Sequence, residues 1–225
     1  MNTVAMATAP RNGPIEIRPL APTRVADVRT VLASTFGSQC WDLFYRFTDE
    51  QKQAAGIIGE RTPEHEARRK EILAKLARRR RGSAGLVAYA DGEPVGYVSL
   101  GPRSDFPGFA RLRSASTVDD VAVWVIPCIT VRKGYRGRGV AIAMIRATVA
   151  YAAKMGIAAV EGHARPDGKR VHDGSAAMGT ESMFRRAGFK RVRGVVPGLP
   201  RYYTPRVAMR AVTSAAASTA RARKP

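Results

Sequence analysis

From Arg132 to Gly139 the chain reads Arg-Lys-Gly-Tyr-Arg-Gly-Arg-Gly, four cations and three glycines in eight residues, and apolar residues at helical spacing follow directly. The start of a helix leaves backbone N–H groups without partners and carries the positive end of the helix dipole, so an anion suits this position. Glycines let the backbone approach a pyrophosphate closely. Arg132, Lys133, Arg136 and Arg138 can add charge-assisted hydrogen bonds, each worth roughly 1.5–3 kcal/mol. The chemistry implied is recognition of a phosphate-bearing ligand.

Two familiar phosphate loops do not fit. A P-loop needs four residues between its glycines and then Gly-Lys-Ser/Thr, a string the chain lacks. A dinucleotide-binding turn comes closer, because Gly137 and Gly139 give Gly-x-Gly and Glu161 follows about twenty residues later. Its third glycine, however, is Ile142, and too few strand and helix units remain downstream for that fold.

The elements that must position this loop are legible in outline. Val121–Val131 is a long apolar strand interrupted by Pro127. Proline removes a ladder donor, which predicts a bulge or a local parting of strands there. Arg138–Met155 carries Ala141, Ile145, Val149 and Ala152 on one face and ends at Gly156, as an amphipathic helix does. Upstream, Leu86–Ala90, Asp91-Gly92 and Pro94–Leu100 spell a hairpin whose turn tolerates positive φ. Earlier still, Ile15–Leu20 alternates like a half-buried strand, and Val25, Val28, Val31 and Leu32 recur at helical spacing.

The stretch from Phe36 to Ile58 holds Trp41, Phe44, Tyr45 and Phe47, side chains that form core or line a pocket. Thr62-Pro-Glu-His-Glu supplies an N-cap, a first-turn proline and first-turn acids for a helix running to about Arg79 and closing in Arg78–Gly82. Ala158–Glu161 reads as a short strand, Ala176–Ala187 as a helix stopped by Gly188, and Phe189–Val196 and Tyr202–Met209 as strands.

At 225 residues, 45% hydrophobic and 25% charged, the chain is expected to form one globular domain over residues 15–212, with a mobile leader (1–14) and a disordered basic tail (213–225). No apolar run has membrane-spanning length and no secretory leader is evident, so a cytoplasmic location without membrane association is expected. Cys40 and Cys128 lack CxxC spacing and His65, His163 and His172 lack ligand spacing, so no metal is expected. The formal charge of +20 makes nonspecific polyanion binding through a basic surface a partner to consider, and a homodimer is left open.

Arg136-x-x-Gly139-x-Ala141 resembles the acyl-CoA signature of the GNAT family of N-acetyltransferases, Arg/Gln-x-x-Gly-x-Gly/Ala, in its usual place between a strand and the following helix. The resemblance extends from Leu86 to Arg210 and includes Met183-Phe-Arg-Arg-Ala-Gly-Phe189, similar to the family's late helix-to-strand motif. It implies an α/β fold: a single GNAT-like domain with a mixed, mostly antiparallel central sheet flanked by helices and with the fourth and fifth strands splayed. It also implies acetyl-CoA as co-substrate. Ile129, Thr130 and Val131 would meet the thioester and pantetheine, while Arg136, Gly137, Arg138, Gly139, Val140 and Ala141 would hold the pyrophosphate. The implied reaction is direct attack of a neutral amine, of a small molecule or a protein, on the thioester carbonyl, with a strand N–H stabilising the oxyanion.

One position departs from the pattern. Many family members carry a tyrosine four residues before the late Gly-Phe as the acid for the departing thiolate, and here that residue is Phe184. Tyr202, Tyr203, a water, or no acid at all replaces it. Glu161 is the candidate general base, with Asp119, Asp120 and His163 as alternatives; Cys128 lacks an activating histidine in sequence and reads as packing. A rival reading is a GNAT-like module that binds acyl-CoA or nucleic acid without catalysis.

Overall fold

The computed structural model describes residues 13–33, 35, 40–60, 62–79, 84–168 and 177–215. Most of the leader, Phe36, Arg80–Gly82, His172, Ala176 and residues 216–225 of the tail therefore lie outside the described residues.

The hairpin forms as the sequence predicts. Strands β2 (Gly85–Ala90) and β3 (Glu93–Ser99) pair antiparallel across Asp91 and Gly92, whose φ values of 51° and 78° are those of a tight hairpin turn. Strand β1 (Ile15–Pro19) adds to the outer edge of β2. Every residue of β2 is buried, because both faces of the strand are covered. Leu86, Ala88 and Ala90 pack toward helix α5 (Val140–Lys154). Val87 and Tyr89, on the opposite pleat, pack toward α1 (Val25–Ala33) and α3 (Pro63–Ala77). Helix α3 begins at the expected Thr62 cap, and its capping box is closed by the side chain of His65. The short α2 (Asp49–Ala54) and α4 (Pro107–Ala110) fill the connections.

The strand expected over Val121–Val131 is divided at Pro127 and Cys128. Its first half, β5 (Val123–Ile126), lies between β4 (Gly101–Pro102) and the parallel β7 (Ala159–Ala164) in a sheet ordered β4-β5-β7-β9-β8. Its second half, β6 (Ile129–Val131), crosses to the other sheet, ordered β1-β2-β3-β6, and pairs with β3 alone. The two halves thus part company, and a gap opens between β6 and the end of β7. No helix among the described residues is long and apolar enough to cross a membrane.

Several boundaries differ from the sequence reading. β7 continues past Glu161 to Ala164, because β9 (Val207–Val212) pairs with it residue for residue. The helix expected from Ala176 starts only at Glu181 (α6, Glu181–Arg186), capped by Thr180. Ahead of it the chain turns through Gly179, whose φ is 76°, and is tied to the end of β7, Arg165 N–H donating to Gly179 O at 3.0 Å and Glu181 N–H to Arg165 O at 2.7 Å. The two late strands are shorter or later than expected, at β8 (Lys190–Arg193) and β9, the latter beginning after Pro205. Thr213 is buried, and its N–H donates to Ala158 O at 2.9 Å, so the chain stays packed one residue beyond β9.

Phe184 is fully buried between α6 and β7, edge-on to Phe189 at 5.1 Å. Its ring occupies the space above Gly162, where an added Cβ would meet a ring carbon at 2.2 Å. Gly162→Ala is therefore expected to destabilise the fold by about 1–3 kcal/mol through overpacking, read as a lower urea midpoint at constant m-value.

Candidate functional site

The Arg/Gly loop leads into α5 as expected. Gly134, Gly137 and Gly139 adopt φ of 90°, 77° and 80°, a region that L-residues with side chains rarely adopt. Gly139 is the N-cap of α5, no side chain caps that end, and a Cβ at Gly137 or Gly139 would meet no protein atom within 4 Å. The first-turn amides of Val140 and Ala141 thus stand at an uncapped helix end beside a glycine surface. Arg136 braces the loop, its Nε donating to Val131 O at 3.1 Å. Arg132 is turned back to Pro94 O at 2.9 Å and lies 3.6 Å from Glu93, while Arg138 sits 5.9 Å from the Tyr135 ring.

In β6 the backbone groups alternate. Cys128 O and Arg132 N–H bond to β3, whereas residues 129 and 131 turn theirs toward the gap. The Ile129 N–H there donates to Ala177 O at 2.6 Å. Thr130 faces Tyr97 in the ladder, and its hydroxyl lies 3.8 Å from Cys128 Sγ. Burial pushes the Cys128 thiol well above its ordinary range, which fits packing rather than nucleophilic chemistry.

On β7, Glu161 and His163 point to the same face, as period two requires, and both are buried. Glu161 Oε1 lies 2.8 Å from His163 Nε2. Arg210 donates to Glu161 Oε2 from Nη2 at 2.6 Å and from Nε at 3.0 Å. Asp119 clamps the far side of Arg210 at 2.8 and 2.9 Å. Burial works to raise the Glu161 pKa, but hydrogen bonds from His163 and Arg210 outweigh it, and the carboxyl is held below its usual range. Burial pushes the His163 pKa below the usual histidine value, against the pull of Glu161 and with the help of Arg103 and Arg193.

His163 Nε2 also lies 2.9 Å from Arg103 Nη2, and its Nδ1 is buried without a hydrogen-bond partner among the described residues. A bare Nε2 would set its lone pair against the Glu161 carboxylate. A protonated Nε2 would in turn set its N–H against the Arg103 guanidinium, so the two neighbours favour opposite tautomers; in the one that Glu161 favours, the Nδ1 lone pair is the place for a second proton.

The aromatic expectations divide. Trp41 belongs to the core under α1 and α3. Tyr45 stacks edge-on to Phe109 at 6.0 Å, and Phe109 to His163 at 5.3 Å, so Tyr45 stands on the Glu161 face. Burial pushes the Tyr45 hydroxyl up to about 12. Tyr202 is exposed and tilted on Tyr203 at 4.9 Å, and Asp120 is exposed. Arg103, Phe109, Arg193, Arg206 and Arg210 were not singled out in the sequence. They come from the turn after β4, from α4, from β8 and from β9 with the residue just before it, and they meet β7 only through tertiary contact.

Parted strands beside an arginine-glycine turn and a long helix define an acyltransferase fold. The family model described as acetyltransferase (GNAT) family matches residues 41–173, more than half of the chain, and the protein belongs to that family. Among solved structures, the GNAT-family acetyltransferase of Streptococcus pneumoniae is similar at 14% identity and a TM-score of 0.50, over 89% of this chain and 99% of that one. The PaiA N-acetyltransferase of Thermoplasma acidophilum, solved in complex with coenzyme A, is 14% identical with a TM-score of 0.48, over 88% of this chain and 99% of its own. No curated protein matches the sequence.

Proposed function

We propose that the protein transfers an acetyl group from acetyl-CoA to the amine of a small molecule or protein, by direct attack and without a covalent enzyme intermediate. The observation that carries this reading is the gap between β6 and β7, which opens beside the glycine-lined, uncapped start of α5. In this reading Gly137, Arg138, Gly139, Val140 and Ala141 hold the pyrophosphate and Arg136 fixes the loop. The outward backbone groups of residues 129 and 131 pair with pantetheine.

The Ile129 N–H is the oxyanion donor once the thioester displaces the Ala177 carbonyl from it. The amine nitrogen bonds to the thioester carbon, the C–S bond breaks, and the CoA sulfur leaves as thiolate. Phe184 offers no proton, and the thiolate, from a thiol of pKa near ~8.5 by comparison with cysteine, is a tolerable leaving group without one.

The proton lost by the amine goes to the Glu161–His163 pair. Glu161, proposed as the base on its sequence position, is already committed to Arg210 and His163. We place the accepting atom at His163 Nδ1, reached directly or through one water, with Glu161 as the residue that positions and polarises the ring. A neutral imidazole at pH 7 is what its lowered pKa provides.

The test is purified protein with acetyl-CoA and a library of amines, followed by release of free thiol and by mass of the acylated product. Acceptor-dependent thiol release is the expected result. CoA binding with only slow, acceptor-independent hydrolysis would overturn transfer in favour of a binding module.

A further inference from the structure

The face of β7 that bears Glu161 and His163 is surrounded by arginine. Arg165 follows on the same pleat just past the strand end, and Arg210 lies opposite Glu161 on β9. Ala208 lies opposite His163, and Arg193 on β8 lies opposite Ala208 in turn, which brings it to the same face. Arg206 is buried and donates from Nη1 to His163 O at 3.2 Å. Arg103 reaches in from the turn after β4 to His163 Nε2 and to Ala115 O, the latter at 2.8 Å.

Among the described residues, the charges on this face do not balance. Its carboxylates among the described residues are Glu161 and Asp119, and Arg210 engages both. Arg103 has only a 3.7 Å approach to Glu161, and Arg165, Arg193 and Arg206 form no ion pair among the described residues. Arg165 Nε and Nη1, and Arg193 Nε and Nη2, are buried with no hydrogen-bond partner among the described residues. Arg193 Nη1 alone is used, on Ser116 O at 2.9 Å and on its hydroxyl at 3.0 Å. Guanidinium does not shed its proton in a protein, and buried charge without a counter-charge is costly. Planar N–H forks beside the proposed proton acceptor are suited to a carboxylate or a phosphate.

We propose that this cluster is an anion site for the acceptor: the amine that the enzyme acetylates carries a carboxylate or phosphate group, neutralised by Arg165, Arg193 and Arg206 while the amine faces His163. The proposal deepens the acetyl-transfer reading and rests on it for its kinetic arm alone. Polyamines, which present only cations, are disfavoured by the same charges.

The experiment compares acceptors that share an amine and differ in the acid. α-Amino acids are set against their primary amides, and O-phosphoethanolamine against ethanolamine. Both pairs are measured by thiol release and, separately, by calorimetry on the CoA-saturated protein. One arm should favour its acidic member by roughly ten- to hundredfold in kcat/KM, mainly through KM, as expected for charge-assisted hydrogen bonds. Which arm responds distinguishes carboxylate from phosphate.

Arg165→Gln and Arg193→Gln should each shrink that ratio toward one, and the wild-type comparison stands even where a variant fails to fold. Equal or better use of the neutral members in both arms overturns the anion site while leaving acetyl transfer intact. Tighter calorimetric binding of an acidic member without thiol release from any acceptor supports the anion site and overturns transfer instead.

Discussion

Replacing Glu161 with glutamine is expected to lower turnover by roughly 10²–10⁴, with CoA affinity retained. The reason lies in one hydrogen bond. Glu161 Oε1 lies 2.8 Å from His163 Nε2 and favours a proton there, against the bare Nε2 that Arg103 favours; in that tautomer the Nδ1 lone pair is left for the acceptor's proton. A glutamine amide in the same place can turn its NH2 toward Nε2 and drive the ring to the other tautomer, with Nδ1 occupied. Arg210 keeps its clamp on Asp119, so the fold should survive the change.

Two further readouts separate this role from a structural one. Because the His163 pKa is depressed by burial, the ring is neutral at pH 7. Turnover of the wild type should hold as pH falls past the ordinary histidine value of ~6.5 and drop only below it, where the ring takes its second proton. His163→Gln should reproduce the loss, and the double variant should be no worse than the single ones, as for groups acting as a unit. Near-normal turnover of Glu161→Gln with an unchanged pH profile would make the residue purely structural.

The second large effect is expected at the helix start. Gly139→Val should weaken CoA by at least ~100-fold, the equivalent of losing about two charge-assisted hydrogen bonds. Gly139 holds φ at 80°, where a β-branched residue is strained. Its Cβ would meet no protein atom within 4 Å, so the added bulk falls on the space proposed for the pyrophosphate rather than on the fold. Thermal stability should therefore drop by only a few degrees, the share due to backbone strain. Lys133→Ala, which removes one flexible charge from the same loop, should weaken CoA only modestly. Calorimetry showing unchanged CoA affinity in Gly139→Val would remove the basis for placing the cofactor here.

Several parts of this architecture are local enough to be legible in the chain. Asp91-Gly92 between two apolar runs requires a hairpin because few residue pairs adopt its φ values. Thr62-Pro63 starts a helix because the cap and the proline act within one turn. Pro127 parts a strand because it has no N–H to give. From that last feature a bulge or a local parting of strands was expected, and the resemblance to the GNAT family turned it into an expected gap between strands, which the division into β5 and β6 matches. The late start of α6 was missed for the opposite reason: Ala177-Met178 suits a helix, but Gly179 takes a φ of 76°, Thr180 is the cap, and the carbonyls of Ala177 and Gly179 are claimed by Ile129 and Arg165, which no local pattern shows.

The sequence by itself determined the family, the phosphate-suited turn at Arg132–Gly139 and the absence of a tyrosine at Phe184, because each depends on residue type at short spacing. Only the tertiary structure decided what Glu161 and His163 can do. Strand alternation sets them on one face, but the register of β9 against β7 is what delivers Arg210 to Glu161 at 2.6 Å. The register of β8 against β9 brings Arg193 to the same face, and the turn after β4 supplies Arg103. Cross-strand register is fixed by burial and pairing over the whole sheet, and no window of the sequence contains it.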